Sequence, residues 1–114
     1  MLQIFHNNRC GKSRSCLALL ESTGKEFEIV SYLTTPPTAE ALKTILQKLN
    51  LSPIELIRQK EKIWIENYKG QNFTNEELIT IMVNHPILIE RPILITDEKA
   101  IIAREEDKVI DFLK

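Results

Sequence analysis

Cysteine is scarce in this chain, long apolar runs are missing, and neither sign of charge dominates. Only Cys10 and Cys16 carry thiols among 114 residues. Neither belongs to a Cys-x-x-Cys pair, because Asn7 and Ser13 stand three residues either side of Cys10. A dithiol of the thioredoxin kind is thereby excluded, and a reactive Cys10 would need an external reductant. Six residues of continuous helix rise about 9 Å, whereas disulfide-bridged Cα atoms lie within about 7 Å. A Cys10–Cys16 bridge therefore requires an unwound helix, and Cys16, beside Leu17, Leu19 and Leu20, reads as a buried inert thiol. No apolar stretch approaches the roughly 20 residues of a membrane helix. No charged start, long apolar run and small-residue cleavage site follow one another, so no secretory leader is expected. A net charge of -1 points away from nucleic acid and acidic polymers as partners. No residues show metal-ligand spacing, and repeats, low-complexity segments and linkers are absent. The expectation is one cytoplasmic domain over residues 1–114, long enough to build a core without disulfides or metals. In that compartment two cysteines suit catalysis or inertness better than a structural disulfide.

The informative stretch is Phe5-His6-Asn7-Asn8-Arg9-Cys10-Gly11-Lys12-Ser13-Arg14. An apolar strand signal, Leu2 to Phe5, runs into it, and an apolar-periodic helix with Leu17, Leu19 and Leu20 runs out. Cys10 is thus expected on a strand-to-helix turn. The first amides of a helix lack intrahelical partners and, with the helix dipole, favour negative charge. A thiolate, the reactive form of cysteine, is favoured at such a place. Arg9, Lys12 and Arg14 add positive charge, and polar neighbours argue against a merely buried Cys10. The stretch reads as an activated cysteine beside an anion-binding nest.

Further along, the patterns are local and regular. Lys12 to Ser22 reads as helix, with Gly24 placed to end it. Phe27 to Val30 alternates as a strand. Tyr32 to Pro37 is a loop. Thr38 caps a helix with the apolar stripe Leu42, Ile45, Leu46 and Leu49. Ser52-Pro53 opens a short helix, and Lys60 to Tyr68 is a weaker one ending at Gly70. Thr74 and Glu77 form a capping-box pattern before Leu78, Ile81 and Met82, and His85-Pro86 stops that helix. Ile93 to Ile95 and Ala100 to Ala103 form a hairpin across Thr96 to Lys99. Glu105 to Leu113 is a final helix, with Val109, Ile110, Phe112 and Leu113 available for packing. His85 reads as structural, and Trp64 and Tyr68 as packing residues. The order implies an α/β fold, a thioredoxin-like mixed sheet with helices on both faces and an inserted helical region.

Several pieces together carry a resemblance. They are His6-Asn7-x-x-Cys10-x-x-Ser13-Arg14, Tyr32-Leu33-x-x-Pro36-Pro37, Leu56-Ile57-Arg58, His85-Pro86-Ile87-Leu88-Ile89-x-Arg91-Pro92, and Arg104 after the last strand. In this order, over nearly the whole chain, the sequence resembles the glutaredoxin-dependent arsenate reductase family, closest to its short, less characterised relatives. The resemblance implies that Cys10 is the nucleophile and that His6 and Ser13 lie near the thiol and help keep it ionised. It carries an oxyanion site onto Arg58, Arg91 and Arg104, and a cis peptide onto Pro92. Guanidinium groups suit a tetrahedral oxyanion such as arsenate, because they offer paired donors and keep their charge. The implied reaction is reduction of arsenate through a Cys10 thiol–arsenate adduct, with glutathione as co-substrate, glutaredoxin as protein partner and no bound cofactor. A monomer is expected.

Two other functions share this fold. One is a thiol enzyme acting on another oxyanion or a glutathione-linked substrate. The other is a Spx-type transcription regulator that binds RNA polymerase. Regulators of that type that sense redox state generally use Cys-x-x-Cys, and the retained arginines favour an enzyme.

Overall fold

The computed structural model describes residues 1–114. The chain divides into two compact units, Met1–Thr35 with Arg91–Lys114, and Pro36–Glu90.

The first unit is built on a four-stranded sheet. β1 (Gln3–Phe5) leads through α1 (Gly11–Thr23) to β2 (Glu28–Val30). β3 (Ile93–Ile95), β4 (Ala100–Ile102) and the C-terminal helix Glu106–Leu113 complete the unit. The strand order is β2-β1-β3-β4. β1 pairs parallel with β2, placing Ile4 beside Ile29, and antiparallel with β3, placing Ile4 beside Leu94. β3 and β4 form the expected antiparallel hairpin. Side chains alternate across a strand, so Ile4, Leu94 and Ile101 share one face. On that face they meet Cys16 and Leu20 from α1 and Val109 from the last helix, in one buried cluster. The other face carries Phe5, Ile93 and Ile95, with the Phe5 ring stacked on Tyr32 at 5.8 Å.

The helix ends follow local chemistry. Gly24 closes α1 in the left-handed region at φ 73°, where glycine has no Cβ to clash. The last helix buries Val109 but leaves Ile110 exposed. One residue of helix turns about 100°, which carries Ile110 off the face shared by Val109, Phe112 and Leu113.

The second unit is helical: α2 (Ala39–Leu49), α3 (Pro53–Leu56), α4 (Lys62–Asn67) and α5 (Asn75–Asn84), followed by a 3₁₀ turn at Pro86–Leu88. The final helix of the first unit is α6. α5 packs against α2 and α3 through buried Leu78, Ile81 and Met82. Thr38 caps α2 by accepting from the Ala41 amide at 3.1 Å. Thr74 and Glu77 form the full capping box of α5. Ser52 precedes α3 without a side-chain cap bond. Trp64, Tyr68 and Phe73 pack together, and the Tyr68 hydroxyl lies 3.0 Å from His85 Nε2. Trp64 and Tyr68 thus pack as expected, and His85 is held structurally against Tyr68. The inserted helical region of a thioredoxin-like α/β fold corresponds to this unit. No helix is long and apolar enough to cross a membrane.

Candidate active site

Cys10 is the N-cap residue of α1, in extended conformation and partly exposed. Its carbonyl accepts the first helical bond, from the Arg14 amide at 3.0 Å. The amides of Gly11, Lys12 and Ser13 precede that bond and so have no intrahelical acceptor. No acidic residue occupies the first turn. The turn's side-chain charge is that of Lys12 and Arg14, on top of the positive end of the helix dipole.

The loop before Cys10 is held by a buried network. Ser13 is fully buried, and its Oγ accepts the Asn7 amide at 3.0 Å. The same hydroxyl lies 2.8 Å from His6 Nδ1, and it donates there in the tautomer that carries the imidazole proton on Nε2. Burial holds the His6 pKa below its usual 6.5, and the charge of Arg14 lowers it further. The Asn7 side chain accepts the Arg9 amide at 3.0 Å, and the Asn7 carbonyl accepts the Cys10 amide at 3.0 Å. Asn7 therefore shapes the turn that presents the thiol, a positioning role the sequence reading did not assign. The available signal was Asx-turn chemistry, an Asn bonding the amide two residues on.

Arg91 and Arg104 belong to the same unit as Cys10. Arg104 lines an open groove of about 690 Å³ together with Cys10, Lys12 and Arg14. Its Nη1 donates to the Arg91 carbonyl at 2.7 Å, which ties the end of β4 to the start of β3. The peptide before Pro92 is cis, as the resemblance implied. Nε and Nη1 of Arg91 are buried and have no hydrogen-bond partner. Buried polar groups are normally satisfied, and both atoms are donors of the kind that an anion's oxygens accept from.

Arg58 lies in the helical unit, where it pairs with Glu61 and, through Nε at 3.2 Å, with Glu90. Its position is set by a short bridge in which the Arg58 amide donates to the Leu88 carbonyl at 2.7 Å. Lys12, Arg14, Arg91 and Arg104 make no ion pair with any carboxylate, whereas Arg58 makes two.

Cys16 is buried beneath α1, and burial pushes its thiol up to about 11. That keeps it a protonated, packed side chain at neutral pH. Both cysteines are free. No group of three or more His, Cys, Asp or Glu side chains is arranged to hold a metal ion.

The chain is similar to known proteins over nearly its whole length. The model of the ArsC family matches residues 5–112. An uncharacterised Escherichia coli protein, YfgD, is 42% identical, over 98% of this chain and 96% of its own. An arsenate reductase of Neisseria meningitidis is 39% identical over 110 residues, covering 95% of this chain and 94% of its own. The solved structure of an arsenate reductase from Vibrio cholerae superposes with a TM-score of 0.89 at 37% identity, covering 96% of this chain and 95% of that one.

Proposed function

The chain belongs to the ArsC family, and from that premise we propose that it is a thiol-dependent oxidoreductase that reduces arsenate to arsenite. Cys10 is the nucleophile, and glutathione and glutaredoxin supply the reducing thiols. The single observation that carries the reading is the Arg91 guanidinium, with two buried donors lacking an acceptor. Arg91 belongs to the same unit as Cys10, and Lys12, Arg14 and Arg104, which line the groove at the thiol, make no ion pair with a carboxylate. A tetrahedral oxyanion accepts bonds from such donors and is held against the thiol's repulsion.

In the first step the Cys10 sulfur bonds to arsenic, and one oxygen leaves as water with the thiol's proton. Glutathione attacks the adduct next, and a glutaredoxin thiol then resolves the mixed species. The disulfide formed joins glutathione to glutaredoxin, and water then breaks the Cys10–arsenic bond, giving its oxygen to arsenite and a proton to the Cys10 thiol. Arsenate and two thiols thus yield arsenite, one disulfide and water, the electrons coming from sulfur as As(V) becomes As(III). His6, neutral and bonded to Ser13, positions the loop that presents Cys10. Arg104 contributes charge and holds the backbone at Arg91. Arg58 is the third guanidinium by resemblance. The reading has the protein working as a monomer in the cytoplasm, where glutathione keeps thiols reduced.

The test is arsenate-dependent NADPH oxidation coupled through glutathione, glutaredoxin and glutathione reductase. Turnover is expected for the unaltered protein, none for Cys10→Ser, and a reduced rate for Arg58→Ala. Wild-type protein without turnover, recovered instead with RNA polymerase in a pull-down, would replace this reading with a regulator.

A further inference from the structure

Arg58 differs from the other two arginines assigned to the oxyanion. Arg91 and Arg104 make no ion pair with a carboxylate, whereas Arg58 is held by two carboxylates of its own helical unit. Its Nη1 pairs with Glu61, and its Nε with Glu90 at 3.2 Å. Neither pair uses Nη2. The side chains of Arg58, Glu61 and Glu90 are 23%, 26% and 29% exposed, so water and salt screen the pairs only in part.

The backbone builds this arrangement. Ile57 and Ile89 form an isolated antiparallel bridge. Flanking it, the Arg58 amide donates to the Leu88 carbonyl at 2.7 Å, and the Glu90 amide to the Leu56 carbonyl at 2.9 Å. Ile57 and Ile89 are buried. Side chains alternate along extended chain, so Arg58 and Glu90 leave the bridge together on its opposite face. The Glu61 amide donates to the Arg58 carbonyl at 3.1 Å, a turn that brings the Glu61 carboxylate back to the guanidinium. One guanidinium facing two carboxylates carries net negative charge, so an approaching oxyanion is repelled there.

Resting on the reading of Arg58 as the third guanidinium of the oxyanion site, we infer that Glu61 and Glu90 are positioning residues that compete with the oxyanion for Arg58 and so set how tightly it binds. The oxyanion takes Arg58 only in the fraction of molecules in which a carboxylate has let go. Its apparent affinity is reduced by that fraction.

The test uses inorganic phosphate, a tetrahedral oxyanion that thiols do not reduce, and reads its protection of Cys10 from alkylation by iodoacetamide. The half-protecting phosphate concentration does not depend on the intrinsic reactivity of the thiol. In Glu90→Gln and in Glu61→Gln it should fall by about fivefold relative to the unaltered protein. Each change keeps the shape of the side chain and removes one competing charge. A carboxylate that merely supported the fold would not strengthen binding when altered. In an Arg58→Ala background, Glu90→Gln should have no effect, because the competition is for that guanidinium. Glu66→Gln, an equal change of charge on α4, should shift nothing at the same ionic strength. Protection equal in the unaltered protein and both variants, or a gain that persists without Arg58, would overturn the inference and leave the oxyanion site standing. No protection by phosphate in any of these proteins would overturn the oxyanion site itself, and the inference with it.

Discussion

Two buried donors without acceptors, Nε and Nη1 of the partly buried Arg91, are the feature of this protein that most needs a reason. Arg91 cannot shed its proton, so its buried Nε and Nη1 donors carry a desolvation cost of about 1–3 kcal/mol. Under the proposed function, an oxyanion that accepts from them offsets that cost. Arg91→Met keeps the length of the side chain, and it keeps the carbonyl that Arg104 holds at 2.7 Å. We expect this variant to be more stable than the unaltered protein by about 1 kcal/mol in urea unfolding, while arsenate turnover falls about 100-fold. Arsenate should raise the melting temperature of the unaltered protein and leave the variant's unchanged. A variant that unfolds more easily and turns over normally would mean that the guanidinium is structural. Sequence could name Arg91 through resemblance, but not its burial, because the atoms that cover a side chain come from elsewhere in the chain.

At the scale of the element, chemistry acts over a few residues, and most of it was legible in advance. Thr38 caps α2 and Thr74 caps α5 as their positions suggested. The box at α5 satisfies two amides at once: the Glu77 carboxylate accepts the Thr74 amide at 2.8 Å, and the Thr74 hydroxyl accepts the Glu77 amide at 3.2 Å. Thr74→Ala removes one bond of the pair, and we expect a loss of about 1 kcal/mol by urea unfolding, with Cys10 reactivity unchanged. Ser52 had the same residue preference but makes no side-chain cap bond. The Glu55 amide, one that such a cap would satisfy, donates instead to the Ser52 carbonyl at 3.0 Å. The 3₁₀ turn at Pro86–Leu88 was not read from sequence. It extends a segment whose pattern simply stops at His85-Pro86, and its bonds, such as Leu88 amide to His85 carbonyl at 2.9 Å, are as short-range as any loop's.

Over the whole molecule, burial separates residues that look alike in sequence. Leu94 and Ile110 both fall in apolar patterns. Leu94 is fully buried in the cluster with Ile4, Leu20 and Val109, whereas Ile110 is 44% exposed. Leu94→Ala should therefore cost about 2–5 kcal/mol through lost transfer energy and the cavity left behind. Ile110→Ala should change stability by no more than about 0.5 kcal/mol. Chemical denaturation of the two variants side by side checks both values. The sequence by itself determined the kinds and order of the elements, the helix caps, the absence of a dithiol, and a thiol at the junction of β1 and α1. Each of these depends on neighbours within a turn of helix or a hairpin. Tertiary structure alone decided the strand order β2-β1-β3-β4, the Ser13–His6 bond beneath the loop, the reach of Arg104 to the Arg91 carbonyl, and the unpaired donors of Arg91. Those are relations between groups brought together by folding. Which donor finds an acceptor, and which is buried without one, depends on what the rest of the chain packs around it.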